Sequence, residues 1–295
     1  MSVVLRPDHH APVRPRSSAE TIKALARRLT DRDRRMMRLV WRHRVLTTDQ
    51  LTTLGWNSYN TAKQRLATLH RLRALDRIRP WNPYGGSPWH YVLDTPGAEI
   101  LAADEGMTLA EFGYRRDRIL AGATSSQLSH TLGTNQVFVD LYARTREEAR
   151  GAHLTWWTGR ECAQEWGDIV RPDGAGTWTV SNRSTRFFVE YDNGTERLRR
   201  LREKVDAYHE LALTAQVQGV VLFCLPSHKR EAHLRRTLGS ATPVPVATAV
   251  HGDHPAGQVW TRLDDAHLRP RHLFELGEQE EVHQPSLFGW EDACG

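Results

Sequence analysis

The sequence predicts an α/β protein in which an N-terminal winged helix-turn-helix precedes a second, α/β domain. Three observations carry this. Basic charge gathers in the first third: residues 1–92 hold 18 Lys and Arg against 6 Asp and Glu, a net of +12, whereas residues 93–295 hold 22 against 29, a net of −7. Helical periodicity with hydroxyl–acid caps fills residues 19–72, then gives way to two extended pieces around a Gly/Pro-rich turn. From about residue 115 helical stretches alternate with short apolar, β-branched and aromatic runs, the pattern of an α/β domain.

Residues 1–18 are polar and Pro-broken and read as a disordered tail. A helical pattern starts near Ala19 and includes the basic run Lys23 to Arg28. Thr30-Asp31-Arg32-Asp33 is a capping box, a hydroxyl three residues before an acid. It opens a helix with Met36, Met37, Leu39, Val40 and Trp41 on its apolar side. Thr47 and Gln50 repeat the spacing for a shorter helix that Gly55 ends. Asn57 or Ser58 caps a third helix, with Ala62, Leu66, Leu69 and Leu72 as its stripe. Asp76–Arg79 and Trp89–Leu93 are extended and flank the turn-rich Asn82–Pro88. Thr95 is read as the cap of a further helix with Pro96 at its first position.

Three helices followed by a basic hairpin describe a winged helix-turn-helix over residues 19–110. The third helix would enter the major groove of double-stranded DNA. Tyr59, Asn60, Lys63, Gln64 and Arg71 lie opposite its apolar stripe, and Arg77 and Arg79 on the wing would meet phosphates. The net charge of +12 favours an anionic partner over a protein-interaction module of the same shape.

The second domain is expected over residues 115–250. A long helix runs through Leu128, Leu132, Val137 and Leu141. Strands are expected at His153–Trp157, Ile169–Val170, Trp178–Val180 and Arg186–Glu190. A helix over about 196–212 follows, with Leu198, Leu201, Val205, Tyr208 and Ala212 as its stripe. Val217–Leu225 reads as a buried strand, His228–Leu238 as a basic helix and Val244–Val250 as a last strand. Residues 251–295 are polar and increasingly acidic, and are expected to hold little structure.

Several function classes are excluded. Three well-separated cysteines, Cys162, Cys224 and Cys294, make neither a disulfide framework nor a Cys-rich zinc module. No apolar run approaches the ~20 residues of a membrane span, and the first residues lack a signal-peptide core, so a cytoplasmic protein with no membrane partner is expected. No Gly-rich phosphate loop leads into Lys-Ser/Thr. No His-x-His occurs for a two-histidine relaxase. His233-Leu234-Arg235-Arg236 has the spacing of a tyrosine recombinase, but no tyrosine follows Tyr208.

The main chemical signal is Arg171-Pro172-Asp173-Gly174 followed by Phe188-Val189-Glu190-Tyr191-Asp192. Mg²⁺ or Mn²⁺ takes oxygen ligands, commonly one or two carboxylates completed by water and substrate phosphate. Asp173 and Glu190 are the candidate metal ligands, with Asp192 a third acid at the site. The alternative reading is a turn and two solvated strand-end acids.

Pro172-Asp173 followed by Glu190 resembles the PD-(D/E)xK nuclease-like superfamily. The whole arrangement is similar to the replication-relaxation family of mobile elements, which is itself similar to the C-class mobilization relaxases. Leu29–Leu54, the wing to Tyr91, and Val189–Glu196 leading to Lys204 and Tyr208 carry this resemblance, over roughly residues 25–225. It implies a restriction-endonuclease-like α/β domain and a role in plasmid replication or conjugative transfer, with metal-dependent nicking. The sequence departs at one point: the superfamily's lysine position, two residues after the glutamate, is Asp192. The resemblance offers Lys204 as a migrated substitute and a fourth catalytic candidate. The alternative is a non-enzymatic replication or transcription regulator that uses the nuclease-like fold as a platform.

In the acidic tail, Gln284-Pro285-Ser286-Leu287-Phe288 resembles the pentapeptide by which bacterial proteins bind the replicative sliding clamp. An exposed Leu–Phe pair in a polar tail is out of place unless it docks. Gln284, Leu287 and Phe288 are the expected contacts.

Overall fold

The structure, a computed structural model, describes residues 18–80, 87–125, 127–148 and 151–277. The expected N-terminal tail, the centre of the Asn82–Pro88 turn and the Gln284–Phe288 motif lie outside the described residues. Two compact units are present, one up to Asn135 and one from Gln136 onward.

The first unit consists of helices with a small antiparallel sheet. Helix α1 (Ala19–Ala26) is capped by Ser18. Helix α2 (Asp31–His43) begins on the capping box that Thr30 and Asp33 predict, and buries Met36, Met37 and Val40. Strand β1 (Leu46–Thr47) runs into α3 (Thr48–Gly55) through the Thr47–Gln50 box. Helix α4 (Tyr59–Arg71) buries Ala62, Leu66 and Leu69. Strands β2 (Leu75–Ile78) and β3 (His90–Leu93) complete a sheet ordered β1-β3-β2, all antiparallel.

Helix α5 (Thr95–Asp104) is capped by Asp94, not Thr95. The Asp94 carboxylate accepts from Thr95 N at 2.8 Å. It also meets Arg116 at 2.6 Å, so a buried acid outcompetes the hydroxyl for the cap. Gly97 lets this helix approach the chain before β2, since a Cβ there would lie 2.1 Å from Ala74 O. Helix α6 (Arg116–Thr124) follows.

Helix α7 (Leu128–Glu147) crosses the boundary between the units. The second unit is a seven-stranded mixed sheet with helices. Its elements are β4 (Ala152–Thr158), α8 (Gly159–Trp166), β5 (Gly174–Val180), β6 (Arg183–Tyr191), α9 (Leu198–Thr214), β7 (Val220–Leu225), α10 (His228–Leu238), β8 (Val246–Val250), β9 (Trp260–Arg262) and β10 (Pro270–Arg271). The order is β10-β9-β8-β7-β6-β5-β4. The β6–β7 and β7–β8 pairs are parallel, as the intervening helices require. Leu201, Val205, Tyr208 and Leu211 of α9, Leu234 of α10 and Cys162 and Trp166 of α8 share a core with Phe188, Val221 and Phe223 of the sheet. On β6 the alternating residues face the other way, and Phe187 stacks on Phe138, which also stacks on Trp156.

Three expectations are corrected. Ile169–Val170 is not a strand: both amides bond to Trp166 O as the chain turns out of α8. Helix α8 is itself additional to the expected elements, so β4 and β5 do not follow one another directly. Its Thr158–Glu161 capping box is the signal that marks it. The chain beyond His251 is structured as far as residue 277. It adds β9, β10 and a short 3-10 helix (Leu273–Glu275), and buries Trp260, Leu273 and Leu276. These few apolar residues suffice because an existing sheet edge and core receive them. No helix among the described residues is long and apolar enough to cross a membrane.

Candidate functional site

The acidic residues that the sequence points to gather at one end of β5 and β6. The β5–β6 register pairs Gly174 with Val189, and one step further sets Asp173 beside Glu190. Asp173 N donates to Val189 O at 3.1 Å, and Tyr191 N donates to Asp173 Oδ2 at 2.8 Å, which fixes the carboxylate against β6. Gly159 allows the start of α8 to lie against this turn, because a Cβ there would stand 2.9 Å from Asp173 O.

Phe188, Glu190 and Asp192 project alternately onto the face covered by α9 and α10. Glu190 is 1% exposed. Lys204 of α9 donates to Glu190 Oε2 at 2.7 Å, and Tyr208, one turn further, donates to Oε1 at 2.6 Å. Lys204 also meets Glu196 Oε2 at 3.1 Å. Burial first, then the Asp173 charge, pushes the Glu190 carboxyl up to about 7, against the lowering influence of Lys204 and Tyr208. Burial works to lower the Lys204 ammonium. Glu190, followed by Asp173 and Glu196, outweighs it and holds Lys204 above its ordinary value, so this lysine stays charged. The Tyr208 hydroxyl is raised well above its ordinary value by burial and then by Glu190.

Asp192 is buried at 4% exposure but faces other partners. Its Oδ1 accepts from Gly194 N at 2.8 Å and its Oδ2 from Arg230 Nε of α10 at 2.7 Å. The same guanidinium bonds Glu196 O, so Arg230 fastens the turn between β6 and α9. Asp192 therefore acts here as a turn and helix tie.

The donor set at Asp173 and Glu190 is oxygen, which suits a hard divalent cation. Among the described residues no group of three or more His, Cys, Asp or Glu is placed to hold a metal ion. Two carboxylates fit such an ion only if water and substrate phosphate complete its shell.

In the first unit, Tyr59, Asn60, Lys63, Gln64 and Arg71 all lie on the exposed side of α4. Arg71 bonds Thr68 Oγ1 at 3.0 Å. Arg77 and Arg79 meet over one ring: their guanidinium carbons stand 4.0 and 5.3 Å from the centroid of Trp89. Arg79 also donates to Ser87 O at 2.7 Å. Arg65, on the inner side of α4, pairs with Asp33 and so ties α4 to the first turn of α2.

The family model described as Replication-relaxation matches residues 37–221, well over half of the chain. The chain belongs to the Replication-relaxation family. The matched span runs from α2 to β7, and so takes in α4, the β2–β3 pair, Asp173, Glu190, Lys204 and Tyr208. No curated protein and no solved structure matches the chain.

Four residues of this Replication-relaxation protein have site contacts beyond those expected from its sequence. Tyr208 belongs to the apolar stripe of α9, and its place one turn beyond Lys204 is the signal that it reaches the same carboxylate. Glu196 and Arg230 depend on a turn geometry that sequence does not print. Trp89 begins an extended stretch, and an indole between two arginines of a hairpin is a cation–π arrangement.

Proposed function

We propose that this member of the Replication-relaxation family binds a DNA site of a mobile element and acts in plasmid replication initiation or conjugative transfer, nicking one strand with Mg²⁺ or Mn²⁺. The observation that carries the reading is Glu190: a carboxylate buried at a strand end beside Asp173, with a charged lysine on one oxygen and a tyrosine hydroxyl on the other. Structural ion pairs do not need a second acid set against the first. Asp173 and Glu190 would hold the cation, which when bound neutralises charge on the phosphate and activates water. Lys204 supplies a fixed positive charge at the same strand ends. Tyr208 orients Glu190 through its hydrogen bond. The order β4-α8-β5-β6-α9-β7, with Asp173 just before β5 and Glu190 at the end of β6, supports a restriction-endonuclease-like reading of the second unit.

For the first unit we read a winged helix-turn-helix. Helices α2, α3 and α4 with the sheet β1-β3-β2 support it, as do the charge of residues 1–92 and the exposed polar side of α4. That side would face base edges of double-stranded DNA, and Arg77 and Arg79 the phosphates beside them.

A second reading keeps the DNA binding and drops the cleavage. It is favoured by one observation: both Glu190 oxygens are already taken by Lys204 and Tyr208. One experiment separates the two. Supercoiled plasmid carrying the cognate site is incubated with Mg²⁺ or Mn²⁺ and with wild type, Asp173→Ala or Glu190→Ala. Nicking by wild type alone supports the enzyme; tight binding without nicking under either metal supports the platform.

The segment Gln284–Phe288 is proposed as a docking peptide for the replicative sliding clamp. For so short a peptide an affinity in the micromolar range, roughly −8 kcal/mol, is expected. A peptide spanning residues 278–295 should bind the clamp, and Leu287→Ala with Phe288→Ala should abolish this.

A further inference from the structure

We infer that the second unit carries its own surface for the phosphate backbone of duplex DNA, formed by the first turns of α9 and α10. The inference rests on the reading that this protein binds duplex DNA.

The first observation is the charge order along α9. Arg197, Arg199, Arg200 and Arg202 crowd its beginning, and Asp206 and Glu210 lie further on. The first turn holds no acidic residue, and the capping residue Arg197 makes no side-chain cap bond. A helix is stabilised by acids at its start and by cations at its end, so this order opposes the helix's own dipole. It also runs against its surroundings, since residues 93–295 are net negative. Local rules broken without a structural gain are expected at functional positions.

The second observation is what these side chains do in the fold. Arg199 is 90% exposed and pairs with the exposed Glu203; Arg200 is 75% exposed and stands 3.7 Å from Glu196. Surface pairs of this kind contribute little. The side chains of Arg197, Arg202 and, on α10, Lys229 are exposed and make no hydrogen bond or ion pair among the described residues. They therefore support no packing.

The third observation is position. Strands β6, β7 and β8 are parallel, so α9 and α10 both begin at the same edge of the sheet. That edge holds Glu190 and Asp192, and Arg230 joins the turn before α9 to the first turn of α10. The exposed cations thus flank the acid cluster. Guanidinium groups match phosphate oxygens in geometry and charge. The stretches 197–204 and 227–231 contain no Phe, Tyr or Trp, so they lack the stacking platforms that single-strand binding uses. This favours the backbone of a duplex.

The test compares full-length wild type with an Arg197→Gln, Arg202→Gln, Lys229→Gln variant, on duplex and on single-stranded DNA, across a salt series. The expected result is a fall in the duplex log–log salt slope by about 0.9 for each phosphate no longer neutralised, so about 2.7 for three. A second variant, Arg197→Lys with Arg202→Lys and Lys229 kept, should hold the wild-type slope. An unchanged duplex slope, or a larger loss on single-stranded DNA, overturns the inference. The plasmid-nicking assay on the same proteins keeps the two readings apart. A reduced slope without nicking in wild type leaves this surface standing and removes the cleavage. Nicking in wild type with an unchanged slope removes only the surface.

Discussion

Lys204 reaches back from the second turn of α9 to Glu190 at the end of β6, 14 residues earlier, and closes to 2.7 Å. Removing one partner of such a pair leaves the other buried and uncompensated, which costs about 3–5 kcal/mol for a fully buried pair. The Lys204 side chain is 29% exposed, so water compensates part of this. Lys204→Met is therefore expected to lower the stability of the second unit by about 2 kcal/mol in urea denaturation. It should also move the Glu190 carboxyl above about 7, because a lowering influence is removed while burial and Asp173 remain. Carboxyl-carbon NMR titration reads this directly, and Lys204→Arg should restore most of both effects.

In the first unit the titrating group to watch is His90. It is 6% exposed, its Nδ1 has no partner among the described residues, and burial pulls its imidazole down to about 4. Its folded value is depressed, so the unfolded chain takes up the proton first as pH falls. The stability is present above the ordinary histidine value of about 6.5 and diminishes as pH falls from there towards 4. The loss should reach up to about 3 kcal/mol near the lower end of that window. His90→Phe should flatten that part of the pH–stability profile, measured by denaturant unfolding between about pH 4 and 7.

Much of the fold is legible in the sequence because short-range chemistry marks it. The capping boxes at Thr30 and Thr47, the α4 stripe and the α9 stripe at Leu201, Val205 and Tyr208 each sit where residue spacing sets them. Asp173 and Glu190 stand out by residue type and order, Lys204 only through the family resemblance, and the fold brings them to one strand end. What is not legible depends on partners far away in sequence. Ile169 and Val170 have strand-like side chains but follow α8 too closely to leave its last turn. Asp94 takes the cap from Thr95 because Arg116 holds its carboxylate in place. Trp260, Leu273 and Leu276 find a sheet edge that composition averaged over a polar stretch does not reveal.

The exposed side of α4 and the β2–β3 pair lead to a separable pair of effects on DNA. Lys63→Ala, Arg77→Ala and Arg79→Ala should each weaken binding and lower the salt slope, by about 0.9 for each phosphate left without its cation. Asn60→Ala or Gln64→Ala should instead change sequence preference, by ~1–3 kcal/mol if the amide pairs bidentately with adenine. Trp89→Ala should mimic the arginine variants in part, since the indole holds both guanidinium groups. Competition binding with randomised duplexes separates preference from affinity. Unchanged affinity and slope in the triple Lys63, Arg77 and Arg79 variant would remove this face as the DNA surface.

Arg230 sets how the acid cluster meets α9. Its guanidinium ties Asp192 Oδ2 to the backbone carbonyl of Glu196, and Glu196 in turn supports Lys204 at 3.1 Å. Asp192 closes the other side of the turn on Gly194 N, where a φ of +80° suits glycine. Arg230→Met keeps an apolar stem at this position and removes both bonds, leaving a buried carboxylate unpaired. A loss of about 3 kcal/mol in the second unit is expected, at the lower end of the range for breaking one side of a buried pair. Arg230→Lys keeps the charge but not the two-point grip, so it should recover part of the stability while leaving the turn loose. Hydrogen exchange at residues 193–196 measures that looseness. If Asp192 were instead a solvated strand-end acid, Asp192→Asn and Arg230→Met would both leave stability and exchange unchanged.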